Sequence, residues 1–179
     1  MKRVVTAAAT AALACGLFAG SALGANEANP NNVAAKQCQA EKQGMGNKAF
    51  KESYGGKHAM QQCKRKNRGE AVEAVENASQ ECAAEREADE DAFNAQYGTG
   101  PNGSNAFGKC VSGKASDEAE ENAEENVNAA KECKAERQEN DEEAFNAEYG
   151  KNENDRNAFG KCVSEKAQED EKPEPEPTA

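Results

Sequence analysis

The sequence predicts an all-α protein: three tandem helical repeats, each stapled by a disulfide, joined by acidic helical linkers and followed by a disordered tail. Three observations lead there. One pattern, C-x-A-E-[KR], five or six residues, A-F-x-x-x-Y-G, a loop, then [NH]-A-[FM]-x-x-C, recurs three times. Within the copies, small and apolar positions fall at steps of three and four, the helical period, and no alternating strand pattern appears. The chain is also poor in bulky residues, with 5% aromatics and no Trp among 179 residues, which excludes one large core and favours several small units with covalent staples.

Residues 1–24 come first. Lys2 and Arg3 precede an apolar run from Val4 to Phe18, and small residues then lead to Ala22-Leu23-Gly24. That order predicts a secretory signal peptide, cleaved after Gly24 or Ala25. The run falls short of the roughly 20 residues that span a bilayer, which argues against an anchor. Cys15 lies inside it, but Ala12 stands where a lipoprotein signal has a large aliphatic residue, so lipidation is not expected. Removing this leader leaves six of seven cysteines and no transmembrane segment. Export with an even cysteine count favours disulfides.

The mature chain divides into repeat 1 (33–68), a linker (69–79), repeat 2 (80–115), an acidic helical linker (116–130), repeat 3 (131–167) and a disordered tail (168–179). Each repeat reads as helix, short helix, helix. The first helix carries its cysteine on a thin seam: Ala119, Ala123, Ala130 and Cys133 before repeat 3, and Val72, Val75, Ser79 and Cys82 before repeat 2. The short helix starts at an acidic cluster near Asp89 or Asp141, where carboxylates complement the helix dipole. Its Phe and Tyr are four apart (Phe50 and Tyr54, Phe93 and Tyr97, Phe145 and Tyr149) and share a face. The glycine after each Tyr (Gly55, Gly98, Gly150) suits a left-handed helix end. The stretch NAFGKCVS, at 105–112 and again at 157–164, opens the closing helix. There Asn105 or Asn157 is the expected cap. Phe107 or Phe159 turns inward, and Gly108 or Gly160 admits a neighbouring backbone. Copy one has His58 and Met60 in place of the Asn and Phe.

Six cysteines allow 15 connectivities. Pairing within each copy, Cys38–Cys63, Cys82–Cys110 and Cys133–Cys162, is the expected scheme. The rival, Cys63–Cys82 with Cys110–Cys133, strands Cys38 and Cys162 at opposite ends. A bridge closing about 29 residues contributes roughly 3.5 kcal/mol in the chain-entropy model, comparable to burying one or two large side chains. The linkers EAVEAVENASQ and ASDEAEENAEENVNAAK can continue the preceding closing helix, with Gly69 and Gly113 as candidate breaks, giving an extended chain of beads. The tail EDEKPEPEPTA is charged and Pro-rich.

The A-F-x-x-x-Y-G … N-A-F-G-K-C-V-S unit resembles that of short secreted proteins of high-GC Gram-positive bacteria, which carry it singly or in tandem. The likeness covers most of residues 36–167, and copy one departs from it at His58, Met60 and Lys64. It implies export and a repeated unit; it brings neither an activity nor site residues.

Charge is unevenly spread along a chain of net −11. Residues 25–68 hold nine Lys/Arg against three Glu, a net of +6, whereas residues 69–179 hold eleven against thirty Asp/Glu, a net of −19. Copy one ends in KRKNR, so Lys64, Arg65, Lys66 and Arg68 form a candidate anion-binding patch for an anionic envelope polymer. The plain alternative is a solvated helix end whose cations complement the dipole and the acidic linker. No specific nucleic-acid partner is expected, because Phe50 and Tyr54 are claimed by the core pattern and no base-stacking platform remains.

Catalytic constellations, cofactor motifs and metal sites are not evident. The lone histidine, His58, stands where the other copies have Asn. The cysteines are claimed by pairing, no C-x-x-C appears for zinc or thiol exchange, and no apolar pocket is evident to tune a carboxylate. The loop KNENDRN, with Asn152, Asn154, Asp155 and Asn157, suggests calcium only superficially, since its counterpart TGPNGSN lacks a carboxylate. The expectation is a secreted, non-enzymatic structural or binding module, extracellular or associated with the cell wall, without cofactor or metal. The alternative is an acidic, cation-sequestering secreted protein.

Overall fold

A computed structural model of the chain describes residues 28–99, 103–150 and 157–170. The segment expected to be a signal peptide, residues 100–102 of one long loop, residues 151–156 of the other, including Asn152, Asn154 and Asp155, and residues 171–179 of the expected tail lie outside the described residues. What is described is helical, with no strand: α1 (Pro30–Ser53), a 3-10 turn (Gly56–His58), α2 (Ala59–Lys66), α3 (Arg68–Ala88), α4 (Glu90–Tyr97), α5 (Ala106–Glu139), α6 (Glu142–Tyr149) and α7 (Ala158–Asp170). α7 reaches three residues into the segment expected to be tail.

Local chemistry sets the helix starts. Asn29 caps α1, its side chain accepting from the Asn31 N–H at 2.9 Å, with Pro30 in the first turn. Asp89 and Asp141 cap α4 and α6, accepting from Ala92 N–H at 2.9 Å and Ala144 N–H at 2.7 Å. Copy one makes the same corner differently. Gly46, eight residues past Cys38 as Asp141 is past Cys133 in copy three, sits at φ +81° and kinks α1, so Phe50 and Tyr54 ride on the turns after the kink.

Each copy's cysteines are joined: Cys38–Cys63, Cys82–Cys110 and Cys133–Cys162, with Cα atoms 5.9, 6.0 and 5.9 Å apart. Around each bridge lies a small core containing a tilted Phe–Tyr pair, ring centroids 5.0, 4.9 and 4.9 Å apart.

The units do not form an extended chain of beads. α5 is one uninterrupted 34-residue helix that supplies the closing helix of copy two, the linker and the opening helix of copy three. α1, α3 and α7 all pack along it. Copy one closes over the other two: Val33 and Ala34 of α1 join the core of copy two, while Met45 and Ala49 pack against that of copy three. Gly113 lies inside α5 and breaks nothing, and the turn before α3 falls at Asn67 rather than Gly69. Intrahelical bonding and burial on α5 outweigh the local cost of one glycine.

The seam before copy three is buried as expected. That before copy two is not: Val72 is 36% exposed and Val75 half-buried, while Ala71, Ala74, Ala78 and Cys82 are buried. α1, α3 and α5 meet on this line, and methyl groups fit there where isopropyl groups do not. Gly55 is left-handed (φ +80°), but Gly98 and Gly150 are extended. Gly98 is there because a Cβ would collide with the Asn94 carbonyl oxygen. Asn105 occupies the cap position of α5 without capping it. Its amide instead ties the loop, accepting from Thr99 N–H at 3.0 Å and donating to Thr99 Oγ1 at 2.9 Å.

Candidate functional site

The repeat carries a polar clamp beside each disulfide. The Tyr of A-F-x-x-x-Y-G donates to the Glu of C-x-A-E in every copy: Tyr97 to Glu85 at 2.9 Å, Tyr149 to Glu136 at 2.7 Å and Tyr54 to Glu41 at 2.5 Å. In copies two and three a lysine four residues past the second cysteine completes it. Lys114 pairs with Glu81 at 2.8 Å and Glu85 at 3.0 Å; Lys166 pairs with Glu132 at 3.8 Å and Glu136 at 3.2 Å. Lys114 and Tyr97 together hold the Glu85 carboxyl below its ordinary range. The Arg after each of these glutamates covers the Phe of the closing helix, Arg86 over Phe107 at 5.0 Å and Arg137 over Phe159 at 4.9 Å.

Copy one keeps the Tyr and Glu and changes the rest. Asn67 replaces the lysine, and Gln37 replaces the glutamate that precedes the first cysteine. The reason is burial. In copy two the lysine and its glutamates face solvent, whereas Glu41 is 0% exposed and Gln37 and Asn67 are equally enclosed. A lysine with two carboxylates there would carry a desolvation penalty of several kcal/mol per ion. Amides satisfy the carboxylate without added charge: Asn67 Nδ2 donates to Glu41 Oε1 at 2.8 Å, and Asn126 Nδ2 reaches it from α5 at 3.2 Å. Glu41 Oε2 also lies 3.5 Å from Cys63 Sγ. Gln37 in turn donates to Glu70 Oε2 at 2.9 Å. Burial pushes the Glu41 carboxyl up to about 7, outweighing the hydrogen bonds from Tyr54 and Asn67 and the nearby Lys66 charge, all of which act downward. The Tyr54 hydroxyl is pushed up by burial and by Glu41.

The basic patch lies on the other side of the same turn. Lys64, Arg65 and Lys66 close α2, Arg68 opens α3, and Asn67 between them sends its side chain inward to Glu41. All four cations are exposed, and among the described residues none has an ion-pair partner. Lys66 alone is anchored: its Nζ donates to Ser164 Oγ of α7 at 2.7 Å and lies 5.8 Å from the Tyr54 ring centroid. His58, exposed at the start of α2, makes no capping hydrogen bond.

The turn therefore stacks an exposed cationic layer on a buried, protonatable one. Charge and position made the outer layer legible in sequence. Glu41, Tyr54, Asn67 and Asn126 were missed, although the aligned copies carried a signal: a Lys-to-Asn and a Glu-to-Gln exchange around an unchanged Glu. Among the described residues no three His, Cys, Asp or Glu side chains converge as metal ligands do, and no helix is long and apolar enough to cross a membrane. Compared with known families, curated proteins and solved structures, the chain matches none.

Proposed function

We propose that this is an exported, non-enzymatic binding module of the cell envelope or extracellular space, three stapled units on acidic helical linkers, which docks an anionic envelope polymer on the basic turn. One observation carries the reading: Lys64, Arg65, Lys66 and Arg68 are exposed and without ion-pair partners among the described residues, at the α2–α3 turn of a chain whose net charge is −11. The acidic excess of residues 69–179 repels polyanions, so attraction centres on copy one, where this turn is the densest cationic cluster, and weakens with salt. The three disulfides accord with an oxidising compartment.

The test is co-sedimentation with envelope fragments at rising salt. Wild-type protein is expected to co-sediment at low salt and release at high salt, and the Lys64→Gln, Arg65→Gln, Lys66→Gln, Arg68→Gln variant to stay in the supernatant throughout. Equal co-sedimentation of the variant rejects the patch. The net of −19 over residues 69–179 favours a second reading, cation sequestration, under which calcium raises the melting temperature more than sodium at matched ionic strength.

A further inference from the structure

Asn67 belongs to both layers of the turn: its neighbours in sequence are the exposed cations, and its side chain holds the buried carboxylate. We infer that the protonation of Glu41 is coupled to anion docking at Lys64, Arg65, Lys66 and Arg68, so that the turn holds a polyanion more tightly in acid than in base. The inference rests on the docking role proposed above.

The groups around Glu41 support this sign. Tyr54 faces it from its own helix, Lys66 from α2 and Glu70 from the start of α3, while α5 contributes the neutral Asn126. Tyr54 and both amides present hydrogens to the carboxylate, an arrangement suited to the ionised form. Lys66, resting over the Tyr54 ring, is the cation whose field the buried charge cancels most directly. When Glu41 takes a proton from solvent, that cancellation ends and the full positive potential of the turn is available to a ligand. Linkage makes the effect reciprocal: a bound polyanion disfavours the ionised carboxylate and draws a proton in. The carboxyl's position near 7 places the transition within an accessible range. At an effective dielectric constant between those of a protein surface and water, a unit charge one aromatic ring away changes an affinity roughly two- to tenfold.

The experiment measures binding of a synthetic poly(glycerol phosphate), whose phosphodiesters keep their charge throughout, to the oxidised protein at pH 5.5 and 8.5 and fixed ionic strength. Wild type is expected to bind roughly two- to tenfold tighter at the lower pH. Glu41→Gln is expected to bind at pH 8.5 as wild type does at pH 5.5. His58→Gln, which removes the chain's one histidine, should keep the wild-type dependence. Tyr54→Phe, which removes only a donor to the carboxylate, should move the midpoint to higher pH. A Glu41→Gln variant that retains the wild-type pH dependence, an unmoved midpoint in Tyr54→Phe, or wild-type binding that is indifferent to pH rejects the coupling and leaves docking standing. Absence of wild-type binding at both pH values rejects docking, and the coupling with it.

Discussion

Glu41 is where desolvation and hydrogen bonding oppose each other most openly, and the winner fixes the sign of a measurable effect. Its folded-state value of about 7 lies above the ordinary carboxylate value of 4.5, so the folded chain binds more protons than the unfolded one between those limits. Stability from this group is therefore present in acid and lost as pH rises through 7. Glu41→Gln keeps the side-chain shape, accepts from both amides and can donate to the Tyr54 oxygen. Relative to wild type it should gain on the order of 2–3 kcal/mol between pH 5 and pH 8 in denaturant unfolding; parallel curves at the two pH values would reject the assignment. The same scale shows what the sequence revealed. Asp89 and Asp141 cap helices because a short side chain before a helical run has one natural partner. Asn105 occupies an equivalent place yet bonds to Thr99, because competition from a loop six residues away is invisible to a local rule.

Elements meet in this fold through small residues, and two glycines in corresponding helices separate packing from propensity. Gly160 of α7 lies against the backbone of α1, where a Cβ would stand 2.5 Å from the Ser53 carbonyl oxygen. Gly113 of α5 has open space around its Cβ position. Gly160→Ala should therefore destabilise by about 1–3 kcal/mol, as overpacking does, and Gly113→Ala should stabilise by about 0.5–1 kcal/mol. Thermal unfolding of the pair checks both signs. The helices themselves and the Phe–Tyr faces were legible from period and spacing. The seam of α3 was read one residue out of phase because valine draws attention in a hydrophobicity pattern, whereas a three-helix junction selects alanine. The kink at Gly46 was hidden because copy one makes with one left-handed residue the corner that copies two and three make with a capped break.

For the whole molecule, the bridges matter because each core holds one Phe–Tyr pair, at most one further Phe, and otherwise only Val, Met, Ala and Cys side chains. Replacing Cys82 and Cys110 together by Ala should cost about 3.5 kcal/mol in the chain-entropy model, read as a lowered denaturation midpoint; a loss below 1 kcal/mol would show that the helices need no such closure. Repetition announced the cysteine partners. The side-by-side packing of the copies was not announced, since Glu52 with Arg137 (3.2 Å) and Lys36 with Ser116 (2.9 Å) join residues 80 or more positions apart in segments that look unrelated.

The unbroken α5 turns the distance between Cys110 and Cys133 into an angle. One residue more or fewer between Ala119 and Ala129 swings everything beyond it by about 100° and slides it by 1.5 Å. The spacer thus acts as a protractor that aims α7 at the flank of α1, and its length in residues is constrained even where the identity of each exposed Glu or Asn is free.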